Sequence, residues 1–234
     1  MIKSWIRSIV FFLTRLLLHL RYRVEVQGLE KIRDLEGPTM VFPNHPGYVD
    51  PPLILTHIRP GRTLRPLVFS GSYRNPGLYP LMLMADALEV PDLKQHSKDS
   101  HSETLQMIDR VVEGLAQGDS FLLYPSGRLQ RGDHEVIGGN RAAHEIVNRS
   151  KDCNIVLVRT RGVWGSEFSC ADNGQLPGLG KTLLRGFLWG LASLFLFAPR
   201  RPVTMTVELM DRDEMPLDDR FKFNRFLEQW YAKD

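Results

Sequence analysis

Six short apolar runs set what this chain can fold into: 39–43 (TMVFP), 63–69 (TLRPLVF), 86–90 (DALEV), 120–124 (SFLLY), 154–159 (NIVLVR) and 202–209 (PVTMTVEL). Each has the length of a strand. Most show little polar alternation, the pattern of strands covered on both faces. Helical repeats lie between them: Leu105, Ile108, Val112 and Leu115 recur at threes and fours. Ser100-x-x-Glu103 reads as the capping box that opens that helix, with the polar stretch 92–103 as a surface loop leading into it. Strands alternating with helices predict an α/β fold: a mostly parallel mixed sheet flanked by helices. With 234 residues, 43% apolar and 24% charged, the chain has the proportions of a globular protein rather than of a disordered chain or a multi-span transporter.

The amino end is set apart by its charge. Residues 1–24 carry Lys3, Arg7, Arg15, Arg21 and Arg23 and no acid; the first is Glu25. At about 100° per residue, Trp5, Ile6, Ile9, Val10, Phe12, Leu13, Leu16, Leu17 and Leu20 share a broad face, and Lys3, Arg7, Ser8, Thr14 and Arg15 share the other. Phe11 and Leu18 break the pattern. A spanning helix needs about 20 apolar residues, and Arg7 and Arg15 interrupt this one. The reading is an amphipathic helix over 1–24 lying on an anionic membrane surface, followed by a single domain over 25–234.

A second apolar stretch, 186–198 (GFLWGLASLFLFA), is bracketed by Lys181 and Arg185 on one side and Arg200 and Arg201 on the other. It is too short to span and suits an interfacial or buried helix. Cys153 and Cys170 form neither a metal-ligand spacing nor a disulfide framework, which points to free thiols and to a domain on the cytoplasmic face of the membrane.

Two strand candidates end alike, in an aromatic residue and a proline followed by turn formers: VFP-NHPGYVDPP at 41–52 and LLYP-SGRLQR at 122–131. Ligands of open α/β sheets bind beyond the carboxyl ends of strands, so both segments are expected to line one cleft. His45 and Asp50 stand five residues apart. On a helix they would diverge by about 140°, and on a strand they would take opposite faces. Pro46 and Gly47 supply a turn that can fold them together. Pro51 fits the first helical position, with Asp50 as N-cap. The residues alone leave two readings open: a capping Asp50 beside an ordinary loop histidine, or a His–Asp pair.

NHPGYVD at 44–50 resembles the NHx4D motif of the glycerolipid acyltransferases, which acylate glycerol 3-phosphate, lysophosphatidic acid and other lysophospholipids. YPSGRLQR at 124–131 resembles that family's second strong motif, and NIVLVRTRG at 154–162 its next strand, so the likeness covers about residues 38–165. Three positions depart from the pattern: Ser126 stands for the motif Glu, the usual Arg is replaced near Val90 or Pro91, and Leu157 stands for a Pro. The departures bear on the acceptor rather than on the chemistry. The resemblance implies an O-acyltransferase in which His45 is the general base and Asp50 its partner. Asn44, Tyr124, Ser126, Gly127 and Arg128 would then touch substrate, with Arg128 on the acceptor phosphate. The donor would be acyl-CoA or acyl carrier protein, the acceptor glycerol phosphate or a lysophospholipid. No metal or organic cofactor is called for. Two other functions compete: a thioesterase or lipid hydrolase with Ser126 as nucleophile, although GxSxG is absent, and a catalytically silent membrane- or acyl-binding module.

Overall fold

A computed structural model describes residues 2–58, 60, 63–76, 78–90, 98–171, 174–178, 180–182, 184–185, 188 and 200–233. Its centre is a seven-stranded sheet. The strands are β1 (Tyr22–Gln27), β2 (Thr39–Pro43), β3 (Leu64–Phe69), β4 (Leu88–Val90), β5 (Ser120–Leu122), β6 (Asn154–Arg161) and β7 (Arg201–Met210), in the order β1-β7-β6-β2-β5-β3-β4. All neighbours are parallel except β6 and β7. The helices are α1 (Ile2–Arg21), α2 (Asp50–His57), α3 (Ser70–Tyr73), α4 (Tyr79–Met84), α5 (Lys98–Ala116), α6 (Ala142–Arg149) and α7 (Arg220–Ala232).

The continuous apolar runs are explained by cover on both sides. Successive strand residues point to opposite faces. Met40, Phe42, Phe121, Ile155 and Leu157 therefore pack with Met107, Ile108, Ile146, Phe223 and Leu227 of α5, α6 and α7. Val41, Leu122, Val156 and Val158 meet Leu53 and Ile54 of α2 on the other face. Each such side chain contributes about 1.5–3 kcal/mol by leaving water. The α/β expectation holds, with one antiparallel pair.

Some boundaries moved. β1 was not expected, because its alternating YRVEVQ puts Arg23, Glu25 and Gln27 between apolar residues. The division at 24/25 falls inside this strand. α5 starts at Lys98, so Ser100 and Glu103 lie within the helix rather than forming its start, and 98–103 is not loop. Of the expected interfacial stretch 186–198, all but Leu188 lies outside the described residues.

α1 is amphipathic and inverted for a soluble protein. Arg7, Phe11, Thr14 and Leu18, spaced at fours and threes, are half-buried against the domain; Leu18 joins the core and Arg7 donates to the Ala85 carbonyl at 3.3 Å. This accounts for Phe11 and Leu18 leaving the apolar stripe. The stripe itself faces outward, with Trp5 74%, Phe12 66% and Leu17 67% exposed. No helix among the described residues is long and apolar enough to cross a membrane.

Candidate active site

Central strands β2 and β5 run parallel and end side by side. Just beyond β2, Asn44 fastens the chain to β6: its amide nitrogen donates to the Thr160 carbonyl at 3.1 Å, and its oxygen accepts from the Thr160 amide at 2.7 Å. The turn that follows leaves no room for a side chain at Gly47, where a Cβ would lie 2.9 Å from both the Phe168 oxygen and Val163 Cγ1. Tyr48 donates its amide to that same Phe168 carbonyl at 2.9 Å. The turn ends at Asp50, which is already inside α2; Val49 precedes the helix. Asp50 is therefore not the expected N-cap. Its carboxylate makes no capping bond and is fully buried beneath the site.

Tyr124, two residues past β5, contacts both His45 and Asp50. Its ring stacks on the His45 imidazole with centroids 3.8 Å apart and planes 21° from parallel. Its hydroxyl donates to Asp50 Oδ2 at 2.9 Å. The other two polar atoms that matter, His45 Nδ1 and Asp50 Oδ1, are buried and have no hydrogen-bond partner. Burial lowers the imidazole from its ordinary value to about 3. It raises the Asp50 carboxyl to about 7; the Thr160 and Tyr124 hydroxyls pull it down, and Glu135 pushes it further up. In this arrangement the imidazole is neutral, the form that accepts a proton.

Glu135 was not singled out by sequence reasoning. It is 3% exposed, and its Oε2 accepts the His45 amide hydrogen at 2.9 Å. The His45 carbonyl accepts from the Gln130 amide at 2.8 Å. The segment after β5 thus holds the His45 peptide from both sides. A glutamate in the polar run RGDHEV carries no periodicity or spacing that would announce this.

The second motif segment is divided between interior and surface. Ser126 is buried and donates to the Arg128 carbonyl at 2.9 Å, while Gly127 (φ 63°) and Arg128 face solvent. Asn140 braces the turn by donating to the Pro125 and Ser126 carbonyls at 3.2 and 2.7 Å. Asn44 spends its amide on β6 and Tyr124 its hydroxyl on Asp50, so both support the site from within.

The family model described as Acyltransferase matches residues 23–198. A comparison with curated proteins finds no match. Among solved structures, the fold is similar to that of the 1-acyl-sn-glycerophosphate (LPA) acyltransferase PlsC from Thermotoga maritima. The TM-score is 0.65 at 14% identity, over 98% of this chain and 78% of that one. The matched span contains the His45 turn, Asp50, Tyr124 and Glu135, and by that match the chain belongs to the Acyltransferase family.

Proposed function

We propose that the protein is a membrane-associated glycerolipid O-acyltransferase with His45 as general base and Asp50 as its partner. The observation that carries this reading is Tyr124 touching both residues while His45 Nδ1 and Asp50 Oδ1 remain unspent beside it. A bond from Nδ1–H to Oδ1 would let the carboxylate stabilise an imidazolium that burial otherwise disfavours. The acceptor hydroxyl then gives its proton to Nε2 as its oxygen attacks the thioester carbonyl. Collapse of the tetrahedral intermediate expels the thiolate, which takes the proton back from the imidazolium, leaving ester and free thiol. The donor is acyl-CoA or acyl carrier protein.

An acceptor bearing phosphate, glycerol phosphate or a lysophospholipid, is supported by the exposed Arg128 two residues past Ser126 and by the likeness of the fold to that of an LPA acyltransferase. The outward apolar stripe of α1 supports seating on an anionic bilayer. Beside it, Arg15 and Arg33 line a cavity of about 410 Å³ with Phe11 and Phe12, a setting suited to headgroup phosphates. The free thiols of Cys153 and Cys170 agree with the cytoplasmic face. Ser126 as a hydrolase nucleophile is disfavoured, since its hydroxyl is engaged by the Arg128 carbonyl.

The test is incubation with a labelled acyl thioester and a panel of lysolipids and glycerol phosphate. Esterified lipid is expected from the wild type, with His45→Ala slower by about 10²–10⁴. Arg128→Ala should raise the acceptor's KM more than the donor's. Free fatty acid as main product would make the protein a hydrolase, and no turnover would make it a silent binding module.

A further inference from the structure

Glu135 is more than a loop residue that happens to be buried. Accepting one amide hydrogen asks only for a neutral oxygen, and a carboxylate taken out of water costs several kcal/mol unless its charge is used. This carboxylate spends Oε2 on the His45 amide and leaves Oε1 buried without a hydrogen bond. Its own place is secured from α7. The amides of Ile137 and Gly138 donate to Glu228 Oε1 at 2.6 and 3.0 Å, and Asn224 donates to the Gly138 and Asn140 carbonyls at 2.8 Å each.

We propose that Glu135 is the positioning residue of the base: its carboxylate clamps the His45 peptide and keeps a negative charge beside the His45–Asp50 pair. This rests on reading His45 as the base. The charged and titratable groups around Glu135 are Arg128, Asp50, Tyr124, Tyr231, Glu228 and His45, with the Ser126 hydroxyl beside it. Of these Arg128 alone is a fixed cation, and it is exposed. The charge of Glu135 is felt by Asp50, Tyr124 and Tyr231, and it pushes each of them up. Withdrawing it eases ionisation of Asp50, which moves the acid limb of the rate profile to lower pH.

The experiment compares the full chain with Glu135→Ala and Glu135→Gln. Glutamine keeps an oxygen for the amide and removes the charge. Deuterium exchange over 44–50 reads the clamp without reference to activity: exchange should speed up in E135A and stay slow in E135Q. With both proteins corrected for folded fraction, E135A should lose roughly 10- to 100-fold in kcat with little change in either KM. E135Q should recover most of that rate while its acid limb moves to lower pH. Unchanged exchange in E135A overturns the clamp. Equal kcat loss in both variants with an unmoved acid limb overturns the role of the charge. If E135A does not fold, the acid limb of E135Q decides alone. If the wild type transfers no acyl group, the acyltransferase reading falls and exchange still decides the clamp.

Discussion

Gly47 shows how little slack the site has at the level of single residues. Its backbone needs no left-handed conformation, so a substitution there is opposed by space alone: an added methyl meets the Phe168 carbonyl and Val163 at 2.9 Å. Backbone oxygen yields less readily than a side-chain tip. Gly47→Ala should cost about 1–3 kcal/mol of stability and, by moving His45 two residues away, on the order of 10-fold or more in kcat. Thermal melts and single-substrate kinetics check both; a variant with wild-type Tm and rate would show that the turn has room. His45 and Asp50 were singled out by the resemblance of 44–50 to NHx4D, since their spacing left a cap and a pair both open. The work done around them was not legible. Asn44 is bonded to Thr160, 116 residues away, and His45 to Glu135, 90 residues away. Asp50 read as a cap because Pro51 follows it, and only the position of Tyr124 reveals that its carboxylate turns inward.

At the scale of elements, α1 makes the strongest demand for a partner. Seven large apolar side chains, Trp5, Ile6, Ile9, Phe12, Leu13, Leu16 and Leu17, are about half or more exposed on one helix face. Each cation beside an anionic bilayer adds about 1 kcal/mol at low salt. The protein is therefore expected to float with anionic vesicles, less so in high salt, and Phe12→Asp with Leu16→Asp should abolish flotation without unfolding the domain, since these side chains are 66% and 52% exposed. Equal flotation of wild type and variant would move the anchor elsewhere, with 186–198 first in line. β2, β5 and β6 were readable because burial on both faces removes polar residues from a strand, whereas β3 and β7, less completely buried, were read from the apolar residues they keep. β1 was hidden by the same logic. As an edge strand paired on one side with β7, it keeps Arg23 and Glu25, and it looked like the tail of the basic arm. Ser100-x-x-Glu103 misled because the motif is short and the helix continues two residues ahead of it.

Across the whole molecule, the fold carries the cost of holding a histidine and a carboxyl out of water at the carboxyl edge of its sheet, and that cost depends on pH. Burial holds the Asp50 proton until about pH 7, whereas the unfolded chain releases it near the ordinary 3.8. Between those values the folded state binds more protons, so the Asp50 contribution to stability falls as pH rises through this window. His45 acts in the opposite sense. It stays neutral in the fold down to about pH 3 but takes up a proton near 6.5 when unfolded, so its contribution grows as pH rises over that range. The two slopes offset one another between about pH 4 and 6.5, which leaves the wild type nearly flat there. Asp50→Asn removes one slope and keeps the other, since asparagine can still accept from Tyr124. The variant should therefore gain stability over the wild type progressively from about pH 4 to 7, and then hold a constant advantage on the order of a few kcal/mol, at about 1.4 kcal/mol per pH unit. Acyl transfer should fall in the same variant, because an amide cannot balance an imidazolium. Melting temperatures of both proteins from pH 4 to 8.5, paired with rates, test this. Parallel melting curves would mean that Asp50 is ionised in the fold like any surface carboxylate. A diverging pair with retained activity would mean that Asp50 is buried for a reason other than the base. Divergence together with lost activity identifies the buried pair as stability given up by the fold to keep a proton acceptor ready.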